Sequence, residues 1–468
     1  MTRHPWILVY NPISNHGHLD SWNAMFVAAL LEHGWRVQVL TPDVPALTLR
    51  LEQKGIGPSP RLQILDWNAI HGEILERIRA RLWRWWRVWD VFGDVYFYKR
   101  KGSELTDDMG FWVQLRTRMF QILVPPAFRL SHYLLARVRR LKDGPAPPLG
   151  QEDPEANYLN PADFGRRVAA GLRYAHARPA LILNMYMDMY KSDAGSWRRF
   201  AEQVSIPWAG IRFVPLQAPS EGYYALESLR GMCFLEESVC TDYRRLLPEK
   251  CFGYLPDVTE TELPGQPGPI AMEIRRRAAG RKIVFMGGSI GWQKNVARWY
   301  ELIAMADPAV WYFVQIGEVH RETFNVEERV AYEAALSAPP ENFYLKAEYL
   351  PDEREFNEII AQSDVIFAVY RDFSKSSNMP GKAAHFRKPL LVSDRYLMGT
   401  RVREYGIGLA VPEDDSRKML EALNALAQSP VAEACFLRYR QAFSMDGLRT
   451  HLAGFLDACL GDHFEGGA

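Results

Sequence analysis

Residues 282–295 read KIVFMGGSIGWQKN: a short apolar run, two adjacent glycines, and a lysine just before a second apolar segment. An apolar run of this length that ends in glycine is typical of a buried strand, and the glycines let the backbone turn sharply. The periodic segment that follows predicts a helix from Asn295 to Met305. A strand, a glycine-containing turn and a helix, in this order, form one β-α step of a parallel sheet.

The same alternation continues through the second half of the chain. It predicts a parallel sheet with helices on both faces, because parallel neighbours need a crossover connection. The predicted strands lie in WYFVQIG (311–317), NFYLKA (342–347), VIFAVY (365–370), PLLVSD (389–394) and GLAV (408–411), and further helices are predicted over 352–362, near Tyr396 and from Ser416.

The first half has the same pattern, and a proline-rich stretch separates the two halves. Residues 252–269, FGYLPDVTETELPGQPGP, have the composition of a linker. The sequence therefore predicts an α/β protein with two Rossmann-like, doubly wound domains, 1–256 and 257–445, followed by a C-terminal helix within 446–468. Strands of the first domain are predicted in WILVYNPI (6–13), WRVQVLTPD (35–43), PALILNMY (179–186), PWAGIRFVPL (207–216) and GMCFLEE (231–237).

Residues 70–145 do not follow this alternation and are predicted to form a helical amphipathic insert in the N-terminal domain. Residues 77–142 contain 15 Lys and Arg against 5 Asp and Glu, a local net charge of +10. Tryptophan prefers the lipid headgroup region and arginine attracts anionic lipid, so one hypothesis places residues 74–142 on an anionic membrane surface. The alternative is a helical pair whose tryptophans pack on the N-terminal domain while the arginines face water.

The composition of the whole chain limits its partners and its compartment. With 56 basic and 56 acidic residues, the net charge does not favour a nucleic-acid partner. The five cysteines include no CxxC pair, and an odd number cannot all pair as disulfides. The sequence shows neither a signal peptide before Trp6 nor an apolar run of about 20 residues. We therefore expect a cytoplasmic protein, either soluble or peripheral on the inner face of the plasma membrane.

Several motifs in residues 282–415 follow one another in a known order: FMGGSIGWQKN, FVQIG, YLP, SDVIFAVY, the loop 371–378 and REYGIGLAVPEDD. This set resembles the donor-binding domain of GT-B glycosyltransferases of the retaining family-4 type, and residues 6–42 resemble the acceptor-side start of that fold. The resemblance implies a nucleotide-diphosphate sugar as the donor substrate, with no cofactor. It also implies that the C-terminal helix crosses back to the N-terminal domain.

The predicted donor site centres on Lys294. Sugar transfer from a nucleoside diphosphate requires stabilisation of the departing diphosphate, and a lysine beside glycine-freed backbone amides can provide it without a metal. Small polar residues before the helix at 381 favour either an anion site or simple helix capping. The resemblance adds the nucleobase contact near Tyr349 and Leu350. The predicted donor-binding residues are Gly287, Gly288, Ser289, Gly317, Tyr349, Leu350, Ser376, Ser377, Asn378, Gly381 and Lys382.

The sequence departs from the resembled family at one pair of positions. The family has two glutamates separated by seven residues, the second lying seven positions before the proline of the next strand, where it binds the donor ribose. Counting back from Pro389 places Lys382 and Ser374 at these positions. Lys382 could add a phosphate contact, the ribose could be held differently, or activity could be lost.

The predicted acceptor site lies at the carboxyl ends of two N-terminal strands. The turn after the first strand contains His16, Gly17 and His18, and His18 can orient or deprotonate an acceptor hydroxyl. The segment NMYMDMY (184–190) offers Asn184, Tyr186 and Asp188 to the same cleft. The alternative for the histidine turn is an ordinary surface turn. The alternative for residues 184–190 is a set of packing residues at a strand end.

Together these patterns favour a glycosyltransferase that moves a sugar from a nucleotide-diphosphate sugar to a lipid-linked or polysaccharide acceptor, with retention of configuration. No Asp-x-Asp pair suited to a metal follows a strand of the second half, which favours metal independence. One alternative is an inverting transferase with His18 or Asp188 as the base. Another is a non-catalytic GT-B scaffold of a membrane polysaccharide assembly complex.

Overall fold

Buried apolar runs form two parallel β-sheets in this computed structural model, which describes residues 4–14, 19–70, 158–190, 194–216 and 218–461. The first sheet has the strand order β3-β2-β1-β4-β5-β6-β7. Consecutive strands run outward in both directions from the β1–β4 pair, so the switch point of the topology lies there. Its strands are β1 (Trp6–Tyr10), β2 (Arg36–Thr41), β3 (Leu62–Asp66), β4 (Leu181–Asn184), β5 (Trp208–Arg212), β6 (Leu229–Phe234) and β7 (Cys251–Tyr254).

Helices connect these strands on both faces of the first sheet. They are α1 (Leu19–Glu32), α2 (Val44–Gln53), α3 (Pro161–Gly171), α4 (Ala194–Gln203) and α5 (Glu237–Leu246). Helix α2 begins after Asp43, whose carboxylate accepts a hydrogen bond from the Ala46 amide at 2.9 Å. Strand β7 begins one residue before the stretch 252–269 that the sequence assigned to the linker and overlaps its start, because a strand of four residues carries little signal.

The second sheet repeats the design with the order β10-β9-β8-β11-β12-β13, and its switch point lies between β8 and β11. Apolar clusters cover both of its faces, so the predicted doubly wound architecture is confirmed. The strands are β8 (Lys282–Gly287), β9 (Trp311–Ile316), β10 (Phe343–Lys346), β11 (Val365–Ala368), β12 (Leu390–Ser393) and β13 (Gly408–Val411). The helices are α6 (Pro269–Ala278), α7 (Val296–Met305), α8 (Val326–Ser337), α9 (Glu353–Gln362), α10 (Met379–Phe386), α11 (Tyr396–Tyr405), α12 (Ser416–Gln428) and α13 (Glu433–Ala442).

The last helix, α14 (Met445–Leu460), follows the second domain in sequence but packs on the first sheet. The Ser444 hydroxyl caps its start by accepting the Gly447 amide at 3.1 Å. One face, with Leu448, Leu452 and Leu456, is buried in the same apolar cluster as β1 and α1. This burial ties the end of the chain to the N-terminal domain.

The predicted amphipathic insert, residues 70–145, lies outside the described residues except for Ile70. Among the helices that the structure describes, none combines the length and the apolar character needed to cross a membrane.

Candidate functional site

The loops that follow β8 and β9 meet at the carboxyl edge of the second sheet, beside its switch point. Gly288 has a φ of 98° and Gly317 a φ of 145°, both in the region that favours glycine. A Cβ atom on Gly317 would lie 1.7 Å from the Gly288 carbonyl oxygen, so the two backbones approach too closely for any side chain. Gly287 serves packing instead, since a Cβ there would lie 2.3 Å from the Phe285 ring. Ser289 is exposed at the surface of this loop.

Lys294 lies in a short turn, Trp292–Lys294, between this glycine loop and α7. Its ammonium donates to the Gly287 carbonyl at 3.0 Å and to the Tyr370 hydroxyl at 2.7 Å, and lies 4.0 Å from the Tyr370 ring centroid. These partners are neutral, and none of the carboxylates in the described residues forms an ion pair with it. A Cβ on Gly288 would lie 3.8 Å from its Nζ atom. A half-exposed positive charge therefore borders the open side of the glycine loop.

Asn295 fixes the start of α7 next to Lys294. It has a φ of 57°, and its side-chain amide donates to the carbonyl oxygens of Val369 at 3.2 Å and Glu413 at 2.6 Å. These carbonyls belong to the segments that follow β11 and β13. The lysine turn is thereby anchored to the sheet edge on both sides, which limits the positions that the ammonium can reach.

The loop before α10 differs from the prediction. The helix begins at Met379 rather than near Gly381, and the Asn378 side chain makes no capping bond. The Ser377 hydroxyl accepts the Met379 amide at 3.3 Å, which is the one predicted cap of the three that forms. Among the described residues, the backbone amides of 374–378 have no hydrogen-bond acceptor. This leaves donors at the sheet edge for an anion.

Lys382 does not face this loop, which corrects its predicted role as a donor ligand. Its side chain is 0% exposed, and the ammonium donates to Glu353 Oε1 at 2.6 Å, to the Glu260 carbonyl at 3.1 Å and to the Asn357 side-chain oxygen. Burial lowers the pKa of Lys382, although Glu353 favours the charged form. With all three of its donors used, Lys382 cannot contact a diphosphate from this position.

Two other predicted donor residues also contact the linker between the domains. A Cβ on Gly381 would lie 2.6 Å from Thr259 Cγ2, so this glycine allows α10 to pack against the linker. The Ser376 hydroxyl donates to the Asp257 carboxylate and accepts from Arg401 at 2.9 Å. Both positions therefore have structural roles that explain them without a ligand.

The proposed nucleobase position lies in the loop between β10 and α9. Tyr349 is 46% exposed, and Leu350 packs at the edge of the second-sheet core. Burial raises the pKa of Tyr349, the Glu353 carboxylate adds to this, and Arg50 opposes it. Arg50 belongs to α2 and donates to the Pro351 carbonyl at 3.2 Å, so the first domain borders this loop.

Glu353 is a candidate that the sequence reasoning missed. It lies in the first turn of α9, where an acidic residue reads as an ordinary helix-start residue. The structure pairs it with Lys382. Lys382 stands where the resembled family has a ribose-binding glutamate. A carboxylate is therefore present near this position after all, but it comes from the neighbouring helix α9. No pattern in the sequence links positions 29 residues apart; only the fold brings them together.

Of the predicted acceptor residues that the structure describes, Asn184 and Tyr186 are buried and the Asp188 side chain is 22% exposed, whereas His16, Gly17 and His18 lie outside the described residues. The Tyr186 amide donates to the Asn184 side-chain oxygen at 3.0 Å. Asp188 accepts the amides of Phe213 at 2.7 Å and Val214 at 2.8 Å. Burial raises the pKa of Asp188, while these amides and Arg212 lower it. Asp188 thus braces the loop after β5.

Two apolar side chains are exposed at this edge of the first sheet. Met189 is 37% exposed after β4, and Leu216 is 44% exposed after β5. In the sequence, packing is one alternative for the segment that contains Met189, and Leu216 has no predicted role. Their exposure gives the carboxyl edge of the first sheet an apolar component.

The comparison of this chain with family models and with curated proteins gives no match. Solved structures do match over nearly the whole chain. Sucrose-phosphate synthase from Thermosynechococcus elongatus has 11% identity and a TM-score of 0.55, covering 97% of this chain and 98% of its own. The chain has the GT-B fold.

Two further matching GT-B structures belong to proteins that bind or form UDP. HepE from Anabaena, in complex with UDP and glucose, has 10% identity and a TM-score of 0.55, covering 97% of this chain and 99% of its own. A UDP-forming trehalose-phosphate synthase from Burkholderia vietnamiensis has 14% identity and a TM-score of 0.53, covering 97% of each chain. At these identities the similarity establishes the GT-B fold, and the narrower family-4 resemblance remains a prediction.

Proposed function

We propose that the protein is a glycosyltransferase that uses a nucleotide-diphosphate sugar. The observation that supports this most is Lys294, a lysine with neutral partners beside two glycine loops at the switch point of a GT-B second domain. In open α/β sheets ligands bind at this edge. As the sugar–phosphate bond breaks, negative charge grows on the diphosphate, and a preorganised ammonium stabilises it.

The donor we propose is a uridine diphosphate sugar. HepE is solved in complex with UDP, and the trehalose-phosphate synthase is UDP-forming, which supports this choice for a chain of the same fold. The backbone amides of 374–378 would bind the β-phosphate, and the Lys294 ammonium would contact the diphosphate from the opposite side. The reaction would need no metal, because the ammonium and the amides carry the charge stabilisation.

Glu353 is our candidate for the ribose hydroxyls. The Lys382 ammonium donates to Glu353 Oε1 at 2.6 Å, and this contact leaves Oε2 unused on the side chain that lies near Tyr349. A carboxylate oxygen is a strong acceptor for a hydroxyl donor. This arrangement would replace the glutamate that the resembled family has at position 382.

For the acceptor we propose a lipid-linked sugar or a growing polysaccharide. The exposed Met189 and Leu216 favour an acceptor with an apolar part, and the basic composition of residues 74–142 favours an anionic surface. Both oxygens of Asp188 are engaged, which supports a retaining reaction, in which the leaving phosphate takes the acceptor proton. One observation favours the alternative of a non-catalytic GT-B scaffold: positions 374 and 382 hold Ser and Lys instead of acidic residues.

Calorimetric titration of the full chain with UDP, GDP and ADP tests the proposal. We expect UDP to bind, and Lys294→Ala to weaken it at least about tenfold, equivalent to about 1.4 kcal/mol. Lys418→Ala is the matched control, since Lys418 is an exposed lysine in the first turn of α12. Absence of heat with all three nucleotides would contradict the enzyme proposal, and unchanged UDP binding by Lys294→Ala would contradict the site.

A second titration tests Glu353 separately. The wild type should bind UDP more tightly than its 2′-deoxy or 3′-deoxy analogue, and Glu353→Gln should remove most of that preference. Comparison of the two nucleotides on one variant cancels the effect of losing the pair with Lys382. An equal loss of affinity for both nucleotides would show that Glu353 serves only the structure.

A further inference from the structure

Arg401, in the middle of α11, connects three separate parts of the molecule. Its side chain is 7% exposed, and the guanidinium donates to the Ser376 hydroxyl at 2.9 Å and to the Leu235 carbonyl at 2.6 Å. The Asp257 carboxylate lies 3.8 Å away and also accepts from Ser376. Ser376 belongs to the loop before α10, Asp257 to the interdomain linker, and Leu235 to the first domain directly after β6.

The geometry of this junction depends on the planar guanidinium. Arg401 directs one terminal nitrogen to the loop of the second domain and the other to the backbone of the first. Its position is fixed by burial and by the Phe443 ring, whose centroid is 4.7 Å from the guanidinium carbon. Lysine keeps the charge but presents a single nitrogen, so it cannot make both contacts in the same way.

We propose that Arg401 is a positioning residue that couples the orientation of the two domains to the conformation of the 374–378 loop. When Arg401 contacts the Leu235 carbonyl, it also holds Ser376 against the linker. The backbone amides of 374–378 then stay at the sheet edge, where they can donate to an anion. When the domains separate at this point, the Leu235 carbonyl leaves Arg401, and Ser376 loses the anchor that fixes the loop. A ligand that binds the ordered loop more tightly than the released loop then favours the closed domain arrangement. The size of this effect is the coupling free energy between loop order and domain closure, and it acts equally in both directions.

The inference deepens the proposed function and rests on it where nucleotide binding is concerned. The structural part can be tested without a ligand, by hydrogen exchange with mass spectrometry on the full chain. Arg401→Lys should speed exchange in peptides that cover 371–378 by about fivefold or more, while peptides from β8 and β9 keep their protection. Arg403→Lys is the matched control, because Arg403 lies on the same helix and, within the part of the chain that the structure describes, its side chain donates only to the Asp394 carbonyl, at 2.9 Å.

Nucleotide affinity gives the second measurement. Arg401→Lys and Ser376→Ala should each weaken UDP binding by about fivefold, the lower end of typical coupling between sites. The double variant should be no weaker than the more affected single variant, since both changes break one connection. Additive losses would overturn the proposal.

The two measurements separate the possible failures. If the wild type binds no nucleotide, the proposed function fails, and the exchange experiment still decides whether Arg401 orders the loop. Unchanged exchange at 371–378 in Arg401→Lys overturns the positioning role. Faster exchange in every segment, including β8 and β9, also overturns it, because Arg401 would then act only on overall stability.

Discussion

Lys294 and Lys382 both follow a glycine-containing segment at the carboxyl edge of the second sheet, and both were predicted to bind the donor. The structure places them in opposite environments. Lys294 is half-exposed and bonded to a carbonyl and a phenol, whereas Lys382 is fully buried and bonded to a carboxylate, a carbonyl and an amide oxygen. Among the described residues no carboxylate pairs with Lys294, which leaves it available for the ligand proposed above, whereas Lys382 uses its charge within the protein.

The difference follows from what lies behind each segment. The glycine loop with Lys294 is backed by the next loop of the same sheet, where Gly288 and Gly317 cross. The first turn of α10 is backed by the linker 257–262, and its residues contact Thr259 and the Glu260 carbonyl. In both segments, glycine marks close packing of the backbone against another part of the chain. Where that part is the next loop of the same sheet, the lysine is left for the proposed ligand; where it is the interdomain linker, the lysine belongs to a domain junction.

Replacing Lys382 should have the largest effect in this comparison. Lys382→Met would leave the Glu353 carboxylate and the Asn357 oxygen without their buried partner, and we expect a loss of about 3–5 kcal/mol in the free energy of unfolding. Urea denaturation followed by tryptophan fluorescence measures it. Lys388→Met, two residues after the end of the same helix, is a control at a partly exposed lysine. A loss below about 1 kcal/mol would contradict the buried network.

Gly381 tests the contact between α10 and the linker. Gly381→Ala should cost about 1–3 kcal/mol, because the new methyl group would overlap Thr259 Cγ2. Thr259→Ser removes that methyl group, so the double variant Gly381→Ala/Thr259→Ser should recover much of the loss. Thermal unfolding of the four proteins completes the cycle. If Thr259→Ser gives no recovery, the glycine is required for a reason other than linker packing.

The sequence predicted the fold well because the second half repeats strands and helices with clear periodicity, and glycine marks the turns. It predicted the position of Lys294 from local spacing, since the glycines and the lysine lie within eight residues. It could not predict the partners of Lys382, Ser376 or Asp188, which come from helices and loops 25 or more residues away. Burial of a polar side chain is decided by these distant partners.

The ion pair between Lys54 and Glu260 tests the other side of the linker. Burial alone would raise the pKa of Glu260, but Lys54, 2.9 Å away, holds this pKa below its ordinary value. A lowered folded-state pKa contributes stability above the ordinary glutamate value, about 4.3, and this contribution is lost as the pH falls through the folded value. Lys54→Met should therefore cost about 1–2 kcal/mol at pH 7, and progressively less below about pH 4.

Chemical denaturation of the wild type and Lys54→Met at about pH 7, 4 and 3 measures this dependence, because the contribution is lost below about pH 4. Glu262→Gln is the control, since its carboxylate lies 3.9 Å from Lys54 and is 43% exposed, so its contribution should be small. A difference between wild type and Lys54→Met that stays constant over this range would mean that Glu260 is not the titrating partner.

Lys294→Met should have the smallest effect on stability, and this completes the contrast with Lys382. The variant loses two hydrogen bonds to neutral groups at a half-exposed position, and water can replace the ammonium there, so we expect a change of about 1 kcal/mol or less. The same variant should lose most of its affinity for UDP, whereas Lys382→Met should lose stability first. Urea denaturation and calorimetry on one preparation of each variant compare the two directly. A stability loss for Lys294→Met as large as that for Lys382→Met would mean that its charge, too, is committed to the fold, and the argument for a phosphate ligand at this lysine would fail.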